Sequence, residues 1–224
     1  MRKILQKISH PFLKKFTSFY FSKPRMYSYK DLHVLVHQDV FPPHYTISTK
    51  ILLDYLYDLE LEGKNVLELG CGSGIISLLA ASKGANVLAS DINSNALKYL
   101  EEASISHNLS LDIVYSDLFS NIAHPSFDYI IINPPYYPKT PKNVKELAWF
   151  CGEDFNYFKE LFQQLEERSK DKNILMILSE DCQIDKIKEI AFEHDFIFEC
   201  ILEKKVMQEK NFVFEISKIP ANYQ

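Results

Sequence analysis

Residues 66–74, with the sequence Val-Leu-Glu-Leu-Gly-Cys-Gly-Ser-Gly, decide the fold of this chain. A largely apolar run leads into three alternating glycines, and a second apolar segment follows at residues 75–82. This order predicts a buried strand that turns sharply into a helix. Glycine permits positive φ angles and a close approach of a ligand to the backbone, while free N–H groups at a helix start attract an electronegative group. The segment therefore predicts a dinucleotide or nucleoside site.

Strands and helices alternate along most of the chain. Apolar runs predict seven strands, near residues 65–69, 86–90, 111–115, 128–133, 173–179, 196–202 and 211–217. Helices are predicted near residues 75–83, 93–107, 154–169 and 183–194. This pattern is typical of an α/β fold with a doubly wound, mostly parallel sheet and helices on both faces. Only residues 203–210 join the last two strands, which is too short for a helical crossover, so the last strand should run antiparallel.

The first forty residues are predicted to extend a main domain at residues 41–224. Residues 1–30 contain eight of the 25 Lys and Arg residues and no acid, which leaves 17 basic against 30 acidic residues in the rest. Apolar residues at helical spacing between Leu5 and Phe19 predict a basic amphipathic helix. Such a helix can pack on the domain, or bind RNA, an acidic partner or a membrane surface.

Two local patterns follow this helix. Alternating apolar residues between Tyr27 and Val36 predict a hairpin or short strands. Ser48 or Thr49 can cap a further helix that should run through Leu59.

Cysteine and histidine spacing argues against a metal site. The four cysteines are far apart and form no Cys-x-x-Cys pair, so neither a zinc site nor a disulfide framework is predicted. His33 and His37 are four residues apart, but the intervening Val-Leu-Val favours a strand and no acid completes a zinc motif. Lys14 and Lys15 interrupt any apolar stretch of a signal peptide. We expect a cytoplasmic protein without a metal or a membrane span.

Polar residues end several of the predicted strands. Asp91 follows an apolar strand about 20 residues after the glycines, where a carboxylate can accept hydrogen bonds from both ribose hydroxyls. Another strand ends in Asn-Pro-Pro-Tyr at residues 133–136. Because ligands of open α/β sheets bind beyond the carboxyl ends of the strands, these residues predict one common site. The residues at such ends are Gly70, Asp91, Asp117 and Asn133.

Together, these segments resemble the class I S-adenosylmethionine-dependent methyltransferases, and among them the Asn-Pro-Pro-Tyr branch that methylates planar nitrogens. The resemblance runs from about residue 40 to 217. It implies S-adenosylmethionine as the cofactor, with the glycine loop at its methionine and ribose side and Asp91 at the ribose hydroxyls. It also implies that Asp117 and Leu118 meet the adenine, and that Glu68 contacts the loop or, indirectly, the cofactor's amino group. The implied cofactor-binding residues are Glu68, Gly70, Gly72, Gly74, Asp91, Asp117, Leu118 and Asn133.

Asn-Pro-Pro-Tyr suits methyl transfer to a nitrogen whose lone pair is delocalised. The Asn133 side-chain oxygen and the Pro134 carbonyl oxygen can both accept hydrogen bonds from such an N–H₂ group, which stabilises the transition state. Tyr136 can stack on the flat acceptor and hold its nitrogen in line with the methyl group. These three residues are therefore the predicted catalytic group. A nicotinamide site fits less well, because that fingerprint requires glycine at the position of Ile75.

The methyl acceptor is less narrowly defined. Proteins that share the motif methylate adenine or guanine amines in nucleic acid, or the glutamine side chain of release factors. The segments around Thr49 and residues 148–152 resemble the release-factor and small-domain branches. However, Ser48 stands where an acid is usual, and Cys151 interrupts a usual Gly-Gly pair. The predicted substrate contacts are Thr49, Pro135, Trp149 and Lys139.

Positive charge favours an RNA acceptor, such as tRNA or rRNA. Lys139, Lys142 and Lys145 follow the catalytic motif, and residues 1–30 add their acid-free positive charge. A protein glutamine is the alternative acceptor, and a non-catalytic binding module that retains the fold is an alternative of another class. The resemblance also leaves open a small activating subunit.

Overall fold

The structure, a computed structural model, describes residues 23–44, 46–123, 126–168, 173–206 and 208–219. The amphipathic helix predicted between Leu5 and Phe19 lies outside these ranges. The strands are β1 Arg25–Tyr29, β2 Leu32–Val36, β3 Asn65–Leu69, β4 Asn86–Asp91, β5 Asp112–Tyr115, β6 Tyr129–Ile132, β7 Asn173–Ser179, β8 Phe196–Val206 and β9 Glu209–Lys218. The helices are α1 Ile47–Tyr57, α2 Ile75–Ser82, α3 Ser94–Ser106, α4 Val144–Leu147, α5 Asn156–Glu166 and α6 Ile184–Glu193.

Seven strands form one sheet in the order β5-β4-β3-β6-β7-β9-β8. The pairs from β5 through to β7 are parallel, whereas β9 pairs antiparallel with both β7 and β8. The fold class is therefore confirmed, including the antiparallel last strand. The strand order reverses direction between β3 and β6, which places the switch point of the sheet at their carboxyl ends.

Each face of the sheet has its own apolar cluster. Neighbouring residues of β3 point to opposite faces, so that Val66 packs in one cluster and Leu67 in the other. The first cluster is covered by α1, α2 and α3, and the second by α5 and α6. Burial on both faces explains why the central strands have near-continuous apolar sequences.

The predicted hairpin is present at β1 and β2, which pair antiparallel. Val34 and Val36 of β2 are buried in the same cluster as the sheet residues and Leu100 of α3. The hairpin thus packs on the sheet, although the division of the chain at residue 40 stays a prediction. Among the described helices, none has the length and apolar character that crossing a membrane requires.

The predicted cap of α1 was wrong. The helix begins at Ile47, with Thr46 as an extended N-cap residue whose side chain forms no capping hydrogen bond. Ser48 and Thr49 lie in the first turn and are buried, because this turn packs against the interior. The helix also ends at Tyr57, before the predicted end. Thr49 does not cap the helix, so its hydroxyl group can contact residues of a site.

Candidate active site

A cavity opens beyond the carboxyl ends of β3, β4, β5 and β6, and it collects most of the residues that the sequence predicted. Ten of the predicted site residues line it, namely Thr49, Glu68, Gly70, Gly72, Asp91, Asp117, Leu118, Asn133, Pro134 and Pro135. The remaining four, Gly74, Tyr136, Lys139 and Trp149, are not part of this lining. Strand ends therefore bring together a glycine loop, carboxylates and an amide that lie far apart in the chain.

Asp91 ends β4 with its carboxylate held by backbone groups. One oxygen, Oδ2, accepts a hydrogen bond from the Gly72 N–H at 2.7 Å, and Oδ1 accepts one from the Asn93 N–H at 2.8 Å. Burial raises the pKa of the Asp91 carboxyl, although these two N–H groups oppose the shift. The hydrogen bonds connect the glycine loop to β4 and orient the carboxylate at the cavity wall.

Gly74 supports the loop from outside the cavity. Its φ is +73°, and a Cβ at this position would lie 2.5 Å from Leu100 Cδ1. The residue is the N-cap of α2, and its N–H donates to the Cys71 carbonyl at 2.7 Å. The structure thus gives Gly74 a packing role between α2 and α3, which no pattern in the sequence had indicated.

Glu68 is a buried carboxylate between β3 and α2. Its Oε2 accepts hydrogen bonds from the Ser77 N–H, at 2.8 Å, and from the Ser77 hydroxyl. Burial raises the pKa of Glu68 to about 8, and the charge of Asp91 contributes to this shift. The side chain also lines the cavity, so it can act on α2 and on a bound ligand.

The Asp117 and Leu118 pair forms a turn after β5. Leu118 is buried with a φ of +46°, and its carbonyl accepts a hydrogen bond from the Ser116 hydroxyl at 2.8 Å. Asp117 is exposed at the cavity edge. Its carbonyl accepts hydrogen bonds from the Ser120 N–H and hydroxyl, at 3.0 and 2.6 Å, so these contacts hold the turn without using the Asp117 side chain.

Asn133 and Pro134 follow β6 on the other side of the cavity. The Asn133 amide group Nδ2 donates to the Thr49 hydroxyl oxygen at a distance of 3.4 Å. Pro134 is buried, and Pro135 also lines the cavity. The Asn-Pro-Pro segment and the glycine loop therefore line one shared cavity.

A family model described as Methyltransferase small domain matches residues 31–150. This match covers more than half of the chain and includes the glycine loop, Asp91 and the Asn-Pro-Pro-Tyr segment. The chain belongs to this family.

The curated relatives of this methyltransferase small domain have names that describe different activities. A bifunctional methyltransferase of Rickettsia bellii is 29% identical over 176 residues, which cover 72% of this chain and 31% of the relative. A release factor glutamine methyltransferase of Borreliella burgdorferi is 30% identical over 145 residues, which cover 59% of this chain and 50% of the relative. The chain thus spans half or less of the length of these two curated relatives.

A solved structure shows the same fold at low identity. The 16S rRNA N2 G1207 methyltransferase of T. thermophilus, in complex with AdoMet and guanosine, has a TM-score of 0.60 and is 16% identical. The similarity covers 86% of this chain and 50% of that chain. At this identity, the likeness supports the fold of the methyltransferase small domain and not its acceptor.

Besides Gly74, three predicted residues of this methyltransferase small domain lie outside the cavity lining and have other contacts. Tyr136 packs against the second apolar cluster, its ring 4.8 Å from that of Tyr137. The Trp149 ring centroid lies 4.6 Å from that of the lining residue Phe41, and the two ring planes are tilted by 53°. Lys139 places Nζ 4.5 Å from the centre of the Phe150 ring. Stacking of Tyr136 on an acceptor stays a prediction.

Several residues that line the cavity of this methyltransferase small domain were not predicted from the sequence. Tyr157 of α5 lines the cavity, and burial together with the charges of Asp91 and Asp117 raises its pKa. Phe41, before α1, also lines the cavity. Neither residue belongs to a motif, and Tyr157 lies in an apolar and aromatic segment that is equally typical of a core helix. Across the described part of the chain, no three His, Cys, Asp or Glu side chains gather as a metal site.

Proposed function

We propose that this protein is an S-adenosylmethionine-dependent methyltransferase that methylates a planar nitrogen. The observation that carries the proposal is the shared cavity, in which Asn133 and Pro134 face the glycine loop and Asp91. The glycine loop with Asp91, which we call the cofactor half, would alone suit several functions, and so would Asn133 with Pro134, which we call the acceptor half. Their combination suits the transfer of a group from a nucleoside-bearing donor to a flat nitrogen.

The cofactor half of the cavity fits S-adenosylmethionine. Backbone N–H groups orient the Asp91 carboxylate toward the wall, where it can accept hydrogen bonds from ribose hydroxyls. Gly70 and Gly72 bring backbone without a side chain to the cavity, so a ligand can approach closely. Asp117 and Leu118 stand at the far edge, where they can contact an adenine. The cofactor supplies the methyl group.

The acceptor half supplies hydrogen-bond acceptors in a mostly apolar wall. Because Asn133 donates from Nδ2 to Thr49, its side-chain oxygen is left for a nitrogen that enters the cavity. The Pro134 carbonyl is the second acceptor. Two oxygens that accept from one N–H₂ group orient it and stabilise the positive charge that develops on nitrogen during transfer. Phe41, Leu147 and Ala148 form apolar walls that suit a flat, uncharged group.

We propose an exocyclic base amine of RNA as the acceptor, because of where the basic segment joins the body. Arg25 begins β1 opposite Val36 of β2, and Val40 lines the cavity only four residues later. Four residues reach at most about 14 Å. Arg25 is therefore close to the cavity, and residues 1–22, with five Lys or Arg and no acid, precede it in the sequence. Positive charge close to the cavity would attract the phosphates of an RNA whose base enters the cavity.

A protein glutamine is the second candidate acceptor. The carboxamide of glutamine has the same planar N–H₂ group, so Asn133 and Pro134 would serve it equally well. The release factor glutamine methyltransferase among the relatives favours this candidate. The acidic body, with 17 basic against 30 acidic residues after the first thirty, also favours it, since acidic surfaces repel nucleic acid.

Methyl transfer from labelled S-adenosylmethionine tests the proposal. The purified protein would be incubated with fractionated cellular RNA, ribosomes and release factors, and the product digested with nuclease or protease. Label that nuclease releases supports an RNA acceptor; label that protease releases supports a protein acceptor, and recovery of the label as methylglutamine identifies glutamine. Cofactor binding without transfer to any fraction would instead support a non-catalytic binding module.

Asn133→Ala is the matched control for this assay. The variant should bind the cofactor nearly as the wild type does, because the hydrogen bond of the Asn133 side chain is to Thr49 and not to the glycine loop or Asp91. Its turnover should fall by on the order of a hundredfold, as expected when a preorganised polar group is removed from the reacting centre. A loss of cofactor affinity as large as the loss of turnover would instead indicate that Asn133 has a structural role.

A further inference from the structure

We propose that Thr49 is a positioning residue, which holds the Asn133 amide in the orientation that methyl transfer requires, and not a direct contact of the acceptor. The inference rests on the proposed function, because it concerns the same acceptor half. Sequence resemblance alone suggested Thr49 as a substrate contact. The hydrogen bond between two residues 84 positions apart in sequence indicates a different role.

Thr49 is well placed to fix a neighbouring side chain. It lies in the first turn of α1, is 4% exposed, and is therefore held firmly by the interior. Its hydroxyl oxygen lies 3.4 Å from Asn133 Nδ2 and 3.2 Å from the Thr46 hydroxyl oxygen. Thr46, Thr49 and Asn133 are thus connected by two successive side-chain contacts that lead from the start of α1 to the cavity. At 3.4 Å the contact with Asn133 lies at the long end of the hydrogen-bond range.

The orientation of the Asn133 side-chain amide matters because its two ends differ in hydrogen bonding. An asparagine amide has an oxygen that only accepts and an N–H₂ group that only donates, and rotation about its last torsion exchanges them. With Nδ2 toward Thr49, the oxygen is left for the acceptor nitrogen. With the amide reversed, its N–H₂ group would face the N–H₂ group of the acceptor, and two donors cannot pair. A hydroxyl has one hydrogen and two lone pairs, so Thr49 can accept from Asn133 while it donates to Thr46.

Substitution at Thr49 should therefore change turnover without changing cofactor binding. Thr49→Val keeps the shape of the side chain and removes the hydroxyl, and we expect kcat/KM for the acceptor to fall by about tenfold, the effect of one hydrogen bond. Thr49→Ser keeps the hydroxyl and should stay within about twofold of the wild type. Thr46→Val is the matched control, since Thr46 touches Thr49 but does not line the cavity, and its effect should be smaller than that of Thr49→Val.

A double-mutant cycle with Asn133→Ala separates positioning from direct contact. If Thr49 acts through Asn133, Thr49→Val should cost nothing further once Asn133 is alanine. If Thr49 touches the acceptor itself, it should cost the same factor in both backgrounds, and the inference is then overturned. Label accumulated over long incubations keeps the slow Asn133→Ala background measurable.

The side-chain amide resonance of Asn133 gives a test that needs no activity. In ¹⁵N-labelled protein, this resonance is assigned by its absence from Asn133→Ala. Thr49→Val should shift it, whereas Thr49→Ser should leave it close to the wild-type position. An unmoved resonance in Thr49→Val overturns the inference even if the enzyme is active. A shifted resonance in a protein that transfers no methyl group to any fraction would count against the proposed function alone.

Discussion

Replacement of Gly74 by alanine should destabilise the protein more than any backbone preference explains. Gly74 has a φ of +73°, and an added Cβ would lie 2.5 Å from Leu100 Cδ1 and 2.9 Å from Leu100 Cγ. Leu100 is fully buried among the residues of the first apolar cluster, so its side chain has little space to move away. The new methyl group must therefore push α3 away from the loop or distort the start of α2.

The magnitude follows from two separate costs. A non-glycine residue at positive φ costs about 1–2 kcal/mol. Forcing an extra methyl group into a close-packed core costs a further 1–3 kcal/mol or so. Gly63 supplies the matched control, because its φ is +67° but no atom lies within 4 Å of its added Cβ. Gly63→Ala should thus lose only the first term, and Gly74→Ala about 2–5 kcal/mol.

Urea unfolding, followed by the fluorescence of Trp149, the single tryptophan, measures both free energies of unfolding. A Leu100→Ala background refines the test, because removal of the large side chain makes room for the new methyl group. In that background, Gly74→Ala should cost no more than Gly63→Ala does in the wild type. Equal losses for Gly63→Ala and Gly74→Ala in the wild type would refute the steric argument.

Three further results are expected. Asp91→Ala should weaken binding of the demethylated cofactor by about 2–4 kcal/mol in calorimetry, because it removes the carboxylate that we propose accepts from the ribose and releases the glycine loop from β4; unchanged affinity would exclude a ribose contact. Burial raises the pKa of Glu68 from 4.5 to about 8. The native state therefore holds a proton that the unfolded chain releases, so the free energy of unfolding should fall as pH rises from about 5 to 8, by up to about 1.4 kcal/mol per unit. Glu68→Gln should remove this slope, and a slope that persists would assign it to other groups. Deletion of residues 1–22 should lower the salt dependence of RNA binding by about 0.9 units per lost phosphate contact, and an unchanged slope would exclude the segment from RNA recognition.

Most of the sheet was predictable because its central strands are buried on both faces. Residues 129–132 and 173–179 are nearly all apolar, and such runs are typical of parallel strands that are buried on both faces. Helix starts were less predictable. Helix α5 begins at Asn156, two residues later than predicted, because Phe155 adopts a φ of +57°. Helix α4 has only four residues, which is too short to show a periodic pattern.

Most of the site residues that were correctly predicted to lie together stand at a strand end or directly after one, whereas membership of a motif did not by itself place a side chain in the cavity. Asp91 and Asn133 share the cavity because parallel strands end at one edge of the sheet. Tyr136 lies in the same motif as Asn133, yet its side chain packs toward the second apolar cluster. The direction of a side chain in an irregular loop depends on tertiary packing, which a motif does not encode. The same limit hid Tyr157, whose place in the wall depends on how α5 packs.

The two halves of the cavity are built in different ways, and this has a consequence for the acceptor. The side that we propose for the cofactor is built from strand ends and from the loops that directly follow them, which the sheet fixes in place. The side that we propose for the acceptor adds side chains from outside the sheet, including Phe41, Thr49 and residues of α4. Segments outside the sheet can change without loss of the fold. Likeness in the sheet to a relative therefore says little about the acceptor, and residues 40–49 and 137–149 are the part of this chain in which acceptor choice should be tested by exchange with a relative.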